Sequence, residues 1–134
     1  MAEVAAHVVT VDWFRGDGYT GQAFTLPDFV RTMEEHEVRG LVTPMVGDCR
    51  AVLPLLKDNL FDFVFYDGDH AGEATVFVLQ WCAERQPRAV IAVHDYDPRQ
   101  PQYADAIRVV DDFAEWMGRS VRVVDTLAVL ELSE

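Results

Sequence analysis

The stretch Phe61-Asp62-Phe63-Val64-Phe65-Tyr66-Asp67-Gly68-Asp69-His70 decides the fold. Its first six residues are aromatic or β-branched apart from Asp62, a composition that suits a strand in a central sheet position. It then gives way to two acids, a glycine and a histidine, which is loop chemistry. Ala89-Val90-Ile91-Ala92-Val93 followed by His94-Asp95-Tyr96 repeats the plan. Between them, Gly72 to Arg85 carries Val76, Leu79 and Ala83 on one side of a predicted helix, and Pro87 stands just past its end. Strand, helix, strand predicts two parallel neighbours joined by a crossover helix.

The alternation extends in both directions. Upstream, His7-Val8-Val9-Thr10-Val11-Asp12 predicts a strand buried on both faces. Arg15 to Gly21 holds three glycines and predicts a loop. Thr25 can cap a helix with Pro27 in its first turn and Leu26, Phe29, Val30 and Met33 as its apolar stripe, closed by Gly40. Leu41 to Val46 predicts a second strand, and Pro44, with no N–H to donate, places it at a sheet edge. Gly47-Asp48-Cys49 is the turn after it, and Ala51 to Leu56 is a short helix containing Pro54.

Downstream, Gln102 to Met117 predicts an amphipathic helix with Ile107, Val110, Phe113 and Ala114 inward and Gly118 at its end. Val121–Val124 and Leu127–Leu132 predict a hairpin across Asp125-Thr126. The order β-α-β-α-β-α-β-α-β-β predicts an α/β fold. It is a Rossmann-like, mostly parallel sheet with helices on both faces, and the C-terminal antiparallel hairpin supplies an edge strand. No repeat or linker divides residues 1–134, so the expectation is a single domain.

Bulk composition excludes some functions. The formal charge is −12, from 23 acidic against 11 basic residues, and such a surface repels phosphate backbones. Nucleic acid is therefore not an expected partner. No apolar run approaches the roughly 20 residues of a membrane helix, so no membrane role is expected. The N-terminus lacks a basic leader, and Cys49 and Cys82 form no CxxC pair. The expected setting is the cytoplasm, with Cys82 a small buried hydrophobe.

In an open α/β sheet, ligands bind outside the carboxyl ends of the strands. Each of the first four predicted strands ends near an acid: Asp12, Asp48, Asp67 and Asp95. Asp12 can accept hydrogen bonds from both hydroxyls of a ribose, or cap its own loop. Asp48 can bond an adenine amino group, cap the helix from Cys49, or do both. Asp67, Asp69, His70, His94 and Asp95 fall in two loops expected to be adjacent. Hard oxygen donors beside an imidazole suit Mg²⁺ or Mn²⁺. A histidine there also suits a general base. The structural alternative is that the acids cap the following segments and the histidines bond loop backbone. Trp13, Phe14 and Tyr19 can form an aromatic wall for a ligand, anchor a loop, or contact another subunit.

Val9 to Asp17, Val46 to Arg50, Phe63 to His70 and Val90 to Tyr96 together resemble a class I S-adenosylmethionine-dependent methyltransferase. The closest likeness is to the small-molecule O-methyltransferase-like group with a DGDH loop and a later HDY loop. The resemblance implies that Asp12, Trp13, Asp48, Cys49 and Asp67 bind S-adenosylmethionine, with Asp67 facing its methionine part and the reaction centre. It implies a divalent cation such as Mg²⁺ on Asp67 and Asp95, with His94 beside them. His70 or His94 is then the base for a hydroxyl of a small-molecule substrate. The implied activity is methyl transfer to that hydroxyl; the alternative is a non-catalytic methyltransferase-like binding or interaction protein.

One departure is large. The family opens with a strand, a Gly-rich turn and a helix, and no Gly-x-Gly element precedes Asp12. The first βα unit is thus expected to be missing. Its strand would lie between those ending at Asp12 and Tyr66. The flanking strands could pair directly, a second copy in a homodimer could cover the gap, or a partner chain could fill it.

Overall fold

The computed structural model describes residues 7–16, 21, 23–69 and 72–133. The chain divides into two compact units, Met1–Val52 and Leu53–Glu134.

In the first unit, β1 (Val8–Asp12) and β2 (Val42–Val46) form a parallel pair in which Val8 faces Val42 and Asp12 faces Val46. Pro44 lies opposite Thr10 in this sheet, which has two strands among the described residues, a setting in which its missing donor is tolerated. The crossover is α1 (Leu26–Glu35). Pro27 sits in its first turn, where its missing N–H costs nothing, and Asp28 favours the positive end of the helix dipole. The Thr25 hydroxyl makes no capping bond, although Thr25 is the residue before the helix. Met33 is buried, and the Phe29 ring packs 5.2 Å from that of Phe14. The helix ends well before Gly40, which instead lies in a single 3-10 turn, Arg39–Leu41. Downstream, α2 (Cys49–Val52) starts two residues earlier than its apolar spacing suggested, because Asp48 caps it. At Pro54 the chain continues as the 3-10 turn Leu53–Leu55.

In the second unit, β3 (Phe63–Tyr66), β4 (Val90–Val93), β5 (Arg122–Val124) and β6 (Leu127–Glu131) form one sheet in the order β3-β4-β6-β5. The β3–β4 pair is parallel; β6 runs antiparallel to both β4 and β5. The β5–β6 hairpin turns at Asp125, whose φ is 55°. The antiparallel strand is therefore internal and β5 takes the edge. Alternation explains this: Ala128 and Leu130 of β6 are buried, whereas all three residues of β5 are exposed. Two helices cross over, α3 (Gly72–Arg85) and α4 (Ala104–Met117), and they pack on each other. The buried face of α3 is Ala74, Thr75, Val78, Leu79, Trp81 and Cys82, so it is rotated from the expected Val76 side. Val110, Phe113 and Ala114 of α4 are buried as expected, and Gly118 ends the helix at φ 64°, a left-handed conformation that favours glycine. Ile91, Val93 and Leu130 of the sheet are buried as well.

One expectation about β3 needs correction. It is an edge strand, not a central one, and Phe63 and Phe65 are 57% and 52% exposed. Aromatic and β-branched content favours an extended strand without fixing its rank within a sheet.

Candidate functional site

Parallel pairing brings the two loops of the second unit together. Tyr66 is in register with Val93, so the chain leaves β3 and β4 at the same edge. The His94 N–H donates to the Tyr66 carbonyl at 2.9 Å, extending the ladder by one rung. Asp67 and His94 are thus the first residues past adjacent strand ends. Their side chains meet: His94 Nδ1 lies 3.2 Å from Asp67 Oδ1 and 3.1 Å from Asp95 Oδ1. One ligand atom from each of Asp67, His94 and Asp95 falls within 4.8 Å of the others. Asp95 reaches this position with φ 58°, a left-handed conformation that aspartate tolerates better than most residues. The Phe65 ring flanks His94 at 6.1 Å.

Two carboxylates and an imidazole at this spacing fit a hard divalent cation of the Mg²⁺ or Mn²⁺ type. They also fit a second chemistry. With Nδ1–H directed at the carboxylates, Nε2 carries the ring's lone pair and can accept a proton. The Nδ1 atom cannot both donate and ligate, so these are alternatives at one atom. His70 lies outside the described residues, as does Tyr19.

The remaining predicted residues belong to the first unit. Asp12 and Asp48 share an edge, because the Gly47 N–H donates to the Asp12 carbonyl at 3.0 Å. One oxygen of the exposed Asp12 carboxylate accepts the Phe14 N–H at 2.6 Å, which shapes the turn after β1. Phe14 has φ 53° and is buried, so it anchors this turn and is no ligand wall. Trp13 is the opposite case: it is 55% exposed, with its Nε1–H donated to the Gly16 carbonyl at 3.1 Å.

Asp48 is held by Arg50. Its Oδ1 accepts the Arg50 backbone N–H at 2.8 Å, and its two oxygens receive the guanidinium at 3.0 and 2.7 Å. This pairing pulls the carboxyl down from 3.8 to about 2. Helix capping is therefore realised here, and a ligand amino group would share a carboxylate already bonded. Cys49 is half-buried, and burial followed by the adjacent Asp48 charge pushes its thiol up. It is a poor nucleophile and a suitable apolar contact.

Sequence reasoning missed Tyr66 as more than a strand residue. Its hydroxyl donates to the Asp69 carbonyl at 2.9 Å, and its ring lies over Gly68. It also missed the pair beyond the second loop, where Tyr96 donates to Asp111 at 2.7 Å. Burial, then that carboxylate, pushes the phenol up to about 12. The only advance signal for either was a tyrosine beside the acidic loops.

A family profile described as a methyltransferase domain matches residues 1–96. No curated protein sequence matches the chain. Solved structures do. The O-methyltransferase TomG from Streptomyces achromogenes, involved in tomaymycin synthesis and solved with SAM, is 22% identical; the match covers 94% of this chain and 61% of that one, with a TM-score of 0.61. The SAH-bound methyltransferase PaMTH1 of Podospora anserina is 14% identical over 98% of this chain and 63% of its own, at 0.68. Cofactor-bound Rv0187 from MTB is 20% identical over 96% and 74%, at 0.65. The chain thus spans somewhat less than two thirds of the length of the first of these. No helix among the described residues is long and apolar enough to cross a membrane. With the matched profile covering most of its length, and with the fold shared by these structures, the chain belongs to the methyltransferase-domain family.

Proposed function

We propose that the chain transfers a methyl group from S-adenosylmethionine to a hydroxyl of a small molecule. The observation that carries this reading is the meeting of Asp67, His94 and Asp95 at the ends of adjacent parallel strands in a chain of this family. S-adenosylmethionine supplies an electrophilic methyl group. The roles left to the protein are binding, orientation and removal of the hydroxyl proton.

Asp12 is the proposed ribose acid, with Trp13 offering a ring face and Asp48 and Cys49 on the adenine side. Asp67 lies toward the reaction centre. His94 Nε2 would take the substrate proton while Asp67 and Asp95 orient the ring through Nδ1. Where a divalent cation is bound instead, Asp67, Asp95 and His94 would hold it, and its charge would favour the ionised hydroxyl. His70 is the other proposed base. The proposed setting is the cytoplasm, with a second copy or a partner chain covering the open edge of β3.

Calorimetry tests the cofactor half. S-adenosylmethionine should bind below millimolar concentration, and Asp12→Ala should weaken it by roughly 10- to 100-fold, the cost of losing hydrogen bonds to a charged group. No heat at millimolar cofactor would leave the non-catalytic binding protein as the reading. Thermal shift tests the metal half: Mg²⁺ or Mn²⁺ should raise the melting temperature, and Asp67→Ala with Asp95→Ala should remove the rise. A rise that survives both changes would place the cation elsewhere.

A further inference from the structure

The Asp67 loop has little to hold it by composition. Asp67, Gly68 and Asp69 are all exposed and carry no apolar anchor. Yet Asp67 must present one oxygen to His94 across the gap between two strands. One residue touches both sides of that gap. Tyr66 accepts the His94 N–H through its carbonyl at 2.9 Å and donates its hydroxyl to the Asp69 carbonyl at 2.9 Å. The phenol thereby closes a ring of chain around Asp67 and Gly68. Steric fit adds a second constraint. A Cβ at Gly68 would stand 2.7 Å from Tyr66 Cε2, 3.0 Å from Cζ and 3.1 Å from the hydroxyl oxygen. Only glycine lets the backbone pass this close beneath the ring.

We propose that Tyr66 is a positioning residue that sets where Asp67 stands relative to His94. The inference rests on the reading of Asp67 and His94 as the chemical centre. Tyr66 acts through Asp69 and Gly68 and is not itself assigned a contact with cofactor, substrate or metal. Tyr66→Phe keeps the ring and the backbone bond to His94 and removes only the hydroxyl clamp. Gly68→Ala keeps the hydroxyl and displaces the ring. The two variants perturb the same loop from opposite sides.

The test uses the full chain and two readouts. The first is the His94 ring signals by NMR in metal-free protein at fixed pH. The second is Mn²⁺ affinity by electron paramagnetic resonance. In Tyr66→Phe the His94 signals should move while the melting curve stays cooperative, and Mn²⁺ binding should weaken roughly two- to tenfold, the cost of one hydrogen bond. Gly68→Ala should shift both readouts in the same sense. A purely structural tyrosine would lower the melting temperature and leave the His94 signals in place, which would overturn the proposal. If the wild-type chain binds no Mn²⁺ but the His94 signals still move, positioning stands and the metal reading falls. If Mn²⁺ binds equally to wild type and Tyr66→Phe with unmoved His94 signals, the metal reading stands and positioning falls.

Discussion

At the scale of single residues, Asp48 shows how a ligand-type acid can be occupied by its own chain. Arg50 sits two residues on, so a helix start and an ion pair form in one turn. Arg50→Ala should raise the Asp48 midpoint from about 2 most of the way back to 3.8, followed by carboxyl NMR titration. The Arg50 backbone N–H survives that change, so a small depression should persist. The direction for stability follows. A depressed carboxyl stabilises the fold fully above its ordinary pKa, and this contribution disappears as pH falls from about 4 toward 2. The pair is largely exposed, so the effect on stability is small and the titration is the better measure. A midpoint that stayed at about 2 without the guanidinium would assign the depression to the backbone. Tyr66 and His94 differ from Asp48 in kind. Tyr66 holds its own loop through Asp69, and the bond that joins this loop to His94 comes from a strand far away in sequence, which local sequence does not display.

At the scale of elements, the entry to β3 depends on one fully buried polar side chain. Gln86, just past α3, accepts the Leu60 and Phe61 N–H groups at 2.7 and 3.0 Å and donates to the Lys57 carbonyl at 2.8 Å. It thus satisfies three backbone groups of the loop that launches the strand carrying Asp67. Gln86→Met preserves length and strands all three. We expect a loss of about 2–4 kcal/mol in denaturant unfolding, since each buried group left unbonded costs about 1–3 kcal/mol and some will find water. A loss under about 0.5 kcal/mol would show that the loop rehydrates freely. The helices and strands themselves were readable from apolar spacing, and their ends from Pro27, Pro87 and Gly118. The rank of each strand in its sheet was not. The strand β3 reads as central and lies at an edge, and β6 reads as peripheral and lies inside. Burial pattern reports whether a face is covered, and the covering element is chosen elsewhere in the chain.

At the scale of the whole chain, the two units differ in how much core each owns. Among the described residues the first unit buries Phe14, Met33 and Val52 around a two-stranded sheet. The second buries a continuous set running from Leu79 and Cys82 through Ile91 and Val110 to Leu130. A two-stranded sheet is marginal without broad apolar support. Amides of β1 and β2 should therefore exchange with solvent roughly tenfold or more faster than those of β4 and β6. Equal protection in both sheets would show one cooperative unit instead.

The sequence by itself determined the alternation of strands and helices, the acids placed after strands, and the family. Each is written locally, in periodicity, in turn residues and in short motifs such as Asp67-Gly68-Asp69-His70. Tertiary structure alone decided which acids meet. Parallel register set Tyr66 beside Val93 and so brought Asp67 to His94, while Asp48 was taken by Arg50 and Phe14 went into the core. Those outcomes depend on strand pairing and side-chain competition between segments far apart in the chain, and such long-range choices leave little trace at any one position.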